Sequence, residues 1–256
     1  MNFQLFLSSL ESRHLADLRF SEVTRALRAL SSAYVERRDV VLTEHRALDG
    51  HGKRAAFALY YGPIHFALVQ RILSELGAPA VGSLVVDLGC GTGVAGAAVA
   101  GSASPAARVT AIDSHPWAVD EARFTYRALG MVADIRRGQA QRLRLPADAS
   151  FVVAAFLVNE LTDADRQVLL ASLKGAVARG ASVLVVEPIS LRVSPWWKEW
   201  ADAFAGLGGR ADEWRFQFDP PMIVKRLARA SGLRPETLTA RSLCVLGPGS
   251  GTRVSA

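Results

Sequence analysis

The apolar positions of this chain follow two different rhythms. Across residues 3–76 they recur at three- and four-residue steps, with Leu15, Leu18, Val23, Leu27 and Leu30 among them, and no alternating pattern interrupts them. That spacing predicts amphipathic helices forming an N-terminal layer. Residues 45–53 break the period with Gly50 and Gly52, and helical spacing resumes over 54–59 and 64–76, around Gly62-Pro63. Gly77, Pro79 and Gly82 close the layer.

From Ser83 the rhythm changes. Leu84-Val85-Val86 is a short β-branched run that ends in a glycine-rich loop, and the loop leads into a small-residue helix over 94–100. A strand over 108–112, a helix over 116–129 and a strand over 132–136 follow. Next come a continuous apolar strand over 151–158, a helix over 163–178 behind a Thr162 cap, and a strand over 181–187 closed by Pro188. Strands alternating with helices predict an α/β fold, a doubly wound and mostly parallel sheet covered on both faces. Beyond Pro188 the pattern is less regular: a helix over 195–207, an aromatic extended stretch over 214–218, a helix over 220–230 and a strand candidate over 238–246, whose order in the sheet stays open. The expected organisation is a helical region over 1–82 and a domain over 83–246 with a Trp-rich insertion at 190–219. A mobile tail over 247–256 begins with Gly-Pro-Gly-Ser-Gly.

The candidate chemistry sits in the first loop, Asp87-Leu88-Gly89-Cys90-Gly91-Thr92-Gly93, answered by Asp113 one strand later. Glycines in a strand-to-helix turn let a ligand approach the backbone, and an open α/β sheet binds ligands beyond the carboxyl ends of its strands. Asp113 falls where a carboxylate can accept hydrogen bonds from the two ribose hydroxyls of a nucleoside. Gly91-Thr92-Gly93-Val94-Ala95-Gly96 also matches the dinucleotide pattern G-x-G-x-x-G, so a nicotinamide or flavin enzyme competes. Asp87 argues against it: an acid at the end of that strand suits the ammonium group of S-adenosylmethionine and would repel a pyrophosphate. Gln139, after the third strand, is placed to bond an adenine edge.

Residues 85–93 resemble motif I of class I S-adenosylmethionine-dependent methyltransferases, and Ala111-Ile112-Asp113 resembles the acidic end of their second strand. The resemblance covers about residues 83–187 and implies a Rossmann-like fold and S-adenosylmethionine as cofactor. By it Asp87, Gly89, Cys90, Gly91 and Gly93 line the methionine end, Asp113 and Ser114 the ribose, Gln139 and Ala140 the adenine, with Phe156 beside them. A narrower resemblance, to the methyltransferase-like family associated with assembly of the ribosomal small subunit, rests on Phe156-Leu157-Val158-Asn159-Glu160-Leu161, Val185-Val186-Glu187-Pro188 and residues 54–70.

Asn159 and Glu160 follow the fourth strand and are expected to face the reactive methyl, Asn159 to orient an acceptor and Glu160 to take a proton if burial raises its pKa. The plainer account has Asn159 capping a turn and Glu160 pairing with an arginine. Tyr60, Tyr61 and His65 are lid candidates, or ordinary helix packing. Trp196, Trp200 and Phe204 share a helix face and read as core, leaving Trp197 as the member expected to be exposed for a substrate, with Arg192, Lys198, Trp214 and Arg215 nearby.

Charge changes the picture only for the acceptor. A net charge of +6 and a pI near 9.8 suit an anionic partner, although the basic residues are spread along the chain and nearly all are arginine. That balance supports nucleic acid only weakly, since Arg-rich composition explains it as well; with the narrower resemblance, it makes RNA or a ribosomal particle the favoured acceptor, a small-molecule methyltransferase and a non-catalytic assembly factor being the rivals. Cys90 and Cys244, far apart, suit a reducing cytoplasm. His14, His45, His51, His65 and His115 show no metal-binding spacing, so no metal is expected. No stretch reaches the roughly 20 apolar residues of a membrane span, so no membrane partner is expected.

Overall fold

The computed structural model describes residues 2–36, 48–77, 81–103, 106–190 and 194–247; the expected mobile tail beyond 247, His45 and Arg192 lie outside them. Two N-terminal helices, α1 (Phe3–His14) and α2 (Phe20–Glu36), precede α3 (His51–Ala56) and α4 (Gly62–Glu75). The last two are joined by a π turn, Phe57–Tyr61, so Gly62-Pro63 does not interrupt the helix. Pro63 has no N–H to donate, and the wider turn before it, in which the Gly62 N–H reaches back to the Phe57 carbonyl, accommodates the loss.

Five strands then alternate with helices. They are β1 (Leu84–Leu88), α5 (Val94–Ala100), β2 (Arg108–Asp113), α6 (Pro116–Ala128), β3 (Ala133–Arg137), β4 (Phe151–Ala155), α7 (Asp163–Ala178) and β5 (Ser182–Glu187). After them come α8 (Trp197–Ala205), β6 (Arg210–Gln217), α9 (Met222–Ser231) and β7 (Thr237–Val245). The seven strands form one sheet in the order β3-β2-β1-β4-β5-β7-β6. β1 to β5 are parallel, and β7 runs antiparallel between β5 and β6. The Thr162 cap is observed, its hydroxyl accepting from the Asp165 N–H at 3.2 Å.

Alternation along the strands assigns two cores. One face of the sheet, with Val85, Val109, Phe151 and Val186, packs against α1 to α6 and α9; the other, with Val86, Val152, Val185 and Leu243, packs against α7 and the Trp196-Trp200-Phe204 stripe. The N-terminal helices thus share a core with the sheet: Phe6, Leu27, Leu59 and Phe66 are all buried in it. Helix α1 is further held by Glu121, fully buried on α6, which accepts from Arg13 Nε at 3.2 Å and contacts His14 Nε2 at 2.7 Å.

β4 ends three residues earlier than the apolar run suggests. Phe156 turns the chain with φ of 59°, the one non-glycine residue of positive φ among those described, and Val158–Glu160 forms a single 3₁₀ turn. Leu157 and Val158 stay buried in the second core, so their apolar character persists while the chain changes direction.

Candidate active site

The site lies where β1, β2, β4 and β5 end. Gly89, Gly91 and Gly93 take φ of 61°, 52° and 78°, which lets the chain fold back from β1 into α5. At Gly91 a Cβ would meet nothing within 4 Å, so the open side of the loop faces free space that a ligand's atoms can fill. Cys90 is buried and its N–H bonds the Ile112 carbonyl at 3.0 Å, tying the loop to β2.

Asp87 is fully enclosed. Its Oδ2 accepts from the Tyr126 hydroxyl at 2.7 Å and the Gly96 N–H at 3.1 Å, while Oδ1 is buried with no partner among the described residues. Burial pushes its pKa up to about 6 against those two donors, and the Asp113 carboxylate adds to the rise. An orphaned carboxylate oxygen invites a cationic hydrogen-bond donor, which is what an amino-acid ammonium provides.

Asp113 is half-buried. Its Oδ2 accepts from the Gly91 N–H at 2.9 Å and its Oδ1 from the His115 N–H at 2.8 Å. A carboxylate has about four acceptor positions, so each oxygen keeps capacity for a hydroxyl donor. The same bonds make Asp113 the tether between glycine loop and β2, a role its place in the sequence does not suggest. Ser114 is exposed and its carbonyl accepts from Arg137 Nε; Gln139 is exposed at the start of a 3₁₀ turn, with Ala140 buried behind it.

The turn after β4 is clamped by a residue whose sequence position points to no role. Glu187, at the end of β5 and fully buried, accepts from the Val158 N–H at 2.7 Å and the Asn159 N–H at 3.4 Å through Oε1, leaving Oε2 without a partner among the described residues. Burial raises its pKa to about 8 despite those bonds, with Glu160 raising it further and Arg166 opposing. A pKa raised above the ordinary 4.5 means the folded state holds the proton more tightly. Its contribution to stability is therefore full below pH 4.5 and lost as pH rises through 8. Every tenfold gain in proton affinity on folding is worth about 1.4 kcal/mol. Glu187→Gln keeps an acceptor for Val158 and should flatten the fall in thermal stability between pH 5 and 9; an unchanged slope would remove Glu187 from that role.

Asn159 does not cap a turn. Its Oδ1 accepts from Ser194 Oγ and Trp196 Nε1, both at 2.9 Å, and the indole N–H, donor only, fixes which amide atom faces it. Glu160 makes no ion pair among the described residues; Arg166 bonds the Val158 and Asn159 carbonyls and Asp163 instead. Glu160 is open to solvent on one side with protein packed around the rest. That loss of water, and next the Asp113 charge, push its pKa up to about 7.

Tyr60, Tyr61 and His65 come together with Phe156. His65 stacks on the Phe156 ring with centroids 4.1 Å apart, and Tyr61 lies 6.0 Å from His65. Burial pushes the His65 pKa down to about 4 and Tyr61 up to about 12, so both are neutral near pH 7. With Ile64, Leu68, the Pro188–Ser190 loop and residues 234–239 they line a cavity of about 330 Å³. Phe57, on the same π turn, continues the aromatic wall to Trp117. Trp117 opens a helix of ordinary amphipathic pattern, so nothing in the sequence singles it out.

Trp197 is not part of this group. It packs against the second core, on the opposite face of the sheet from the N-terminal helices, with the Arg241 guanidinium 4.7 Å from its ring centre. Arg241 is 2% exposed and donates to Glu213.

A family model described as a methyltransferase domain matches residues 85–180, which run from β1 to just past α7. Residues 85–180 carry a methyltransferase domain, and the sheet around them is Rossmann-like, as the resemblance to class I S-adenosylmethionine-dependent methyltransferases implies. The ribosomal protein L11 methyltransferase of Symbiobacterium thermophilum is 37% identical over 97 residues, 38% of this chain and 30% of that protein. The chain thus matches less than a third of that relative's length. Among solved structures, an O-methyltransferase of Nostoc punctiforme superposes with a TM-score of 0.55 at 18% identity, covering 87% of this chain and 69% of that one. The mitomycin 7-O-methyltransferase MmcR does so with 0.51 at 15% identity, covering 94% and 72%. Both likenesses extend beyond the methyltransferase domain, and at these identities they speak to fold alone. None of these similarities bears on the narrower resemblance to the ribosomal small-subunit assembly family. No helix among the described residues is long and apolar enough to cross a membrane, and no group of three or more His, Cys, Asp or Glu there could hold a metal ion.

Proposed function

We propose that this chain transfers the methyl group of S-adenosylmethionine to a small, planar, mostly apolar acceptor. The observation that carries the acceptor class is the 330 Å³ cavity walled by Tyr60, Tyr61, His65 and Phe156, a size and lining suited to one or two rings. S-adenosylmethionine, when bound, supplies an electrophilic methyl on a sulfonium whose departing thioether carries no charge.

The chain's own residues divide the remaining work. Asp87 takes the methionine ammonium through Oδ1, Gly91 and Cys90 present the backbone of the loop, and Asp113 with Ser114 holds the ribose. Gln139 and Ala140 flank the adenine. Asn159 acts through the Ser194 and Trp196 contacts to hold the turn, and Glu160, beyond Phe156 and outside the cavity lining, accepts the proton of an acceptor atom that projects from the cavity toward the 3₁₀ turn. Tyr60, Tyr61, His65 and Phe156 orient the acceptor and exclude water, which favours an in-line displacement that depends chiefly on positioning. Trp197 is left as packing.

The test is calorimetric titration with S-adenosylmethionine, S-adenosylhomocysteine and NAD, followed by transfer of labelled methyl to hydroxylated aromatics and, in parallel, to ribosomal RNA and small ribosomal subunits. Binding of the adenosyl compounds with label on aromatics supports the proposal. Label on RNA alone would restore the acceptor that overall charge favours, and binding without turnover would make the protein a scaffold. Asp113→Ala should weaken S-adenosylmethionine at least about tenfold for each charge-assisted hydrogen bond lost, worth roughly 1.5–3 kcal/mol. Unchanged affinity would sink the ribose assignment.

A further inference from the structure

The acceptor cavity has two unlike walls. The first, from the N-terminal helices and the end of β4, is aromatic and apolar: Tyr60, Tyr61, Ile64, His65, Leu68 and Phe156. The second, from the segment that leads into and begins β7, carries Arg234, Thr237 and Thr239. With both tyrosines and His65 neutral near pH 7, the formal charge on the cavity lining is the Arg234 guanidinium. No carboxylate among the described residues lines the cavity; Glu236, exposed two residues on, acts on Tyr60 from outside it. Arg234 makes no ion pair within 4.0 Å among the described residues, and Lys225 and Arg226 on α9 are directed to Asp219 and Glu11.

A guanidinium at the rim of an aromatic slot, flanked by hydroxyl side chains, is built for a planar anion: it offers a fork of N–H donors that a carboxylate accepts two at a time. We propose that the acceptor is an aromatic acid, its ring packed on the wall of Tyr61, His65 and Phe156 and its carboxylate paired with Arg234. The acid group fixes the ring's orientation and is distinct from the methylated atom. This rests on the small-acceptor reading above and narrows it to one chemical class.

The experiment compares hydroxybenzoate and hydroxynaphthoate with their carboxamides, neutral and nearly isosteric, by equilibrium binding to the purified full chain and by methyl transfer from S-adenosylmethionine. The acids should be preferred at least tenfold in kcat/KM. Arg234→Gln should erase that preference by raising KM for the acids, leaving kcat and the carboxamides' constants within twofold. Equal use of acids and amides, or an Arg234→Gln variant that keeps the preference, overturns the aromatic-acid assignment while leaving the small-acceptor reading in place. Binding of neither set overturns both.

Discussion

Glu160→Gln should lower kcat by roughly 10²–10⁴, the range for removing a positioned general base, with S-adenosylmethionine affinity unchanged. The side chain closes the 3₁₀ turn that follows β4, with no ion pair among the described residues to hold its charge, and crowding plus the Asp113 carboxylate raise its pKa to about 7. A base must be ionised to work, so the wild-type rate should fall as pH drops below about 7. The Gln variant, of the same shape and unable to titrate, should show a flat profile through that window. Steady-state rates from pH 5.5 to 8.5 on both proteins decide it. If the two profiles superimpose, positioning and desolvation alone drive the transfer and Glu160 is not the base.

How far this site can be anticipated differs from residue to residue. The glycine loop and Asp113 are legible because their requirement is local: positive φ at alternate glycines and an acid one strand later both leave a mark in sequence. The strand order of β6 and β7 is not, since an antiparallel pair joined through α9 and added next to β5 has no periodicity different from any other strand pair. The apolar run overstates β4 because burial keeps 151–158 apolar whether or not Phe156 turns the chain. Glu187 reads as the close of a strand, since only the fold shows that it reaches two backbone N–H groups 29 and 28 residues away. The Trp cluster is ambiguous for a related reason: helical spacing separates Trp197 from the stripe, but the face of the sheet on which α8 docks is a tertiary fact. That docking puts Trp197 on Arg241 and away from Tyr61 and His65. The acceptor cavity joins residues 60 to 239, and no local pattern marks such a set.

The second large effect is expected at Gly96, the third glycine of the apparent dinucleotide pattern. A Cβ there would lie 2.5 Å from both Asp87 Oδ2 and the Tyr126 hydroxyl, so the residue is glycine because a buried carboxylate packs against the first turns of α5. The resemblance to G-x-G-x-x-G therefore has a cause that involves no pyrophosphate. Gly96→Ala should displace Asp87 from both its donors, leaving a buried charge without partners, at a cost of about 3–5 kcal/mol by analogy with breaking buried pairs. Tyr126→Phe removes one of the two donors without a clash, so its loss should be the smaller, about 1.5–3 kcal/mol. Asp87→Ala in the Gly96→Ala background removes the clash with Oδ2 and the stranded charge, while the close contacts with the Tyr126 hydroxyl and the Cβ of residue 87 remain. That double variant should recover part of the lost melting temperature yet bind S-adenosylmethionine no better than Asp87→Ala alone. Stability and affinity moving together across the series would mean that Asp87 only packs. Stability returning without affinity would leave its orphaned Oδ1 as the group that the ammonium requires.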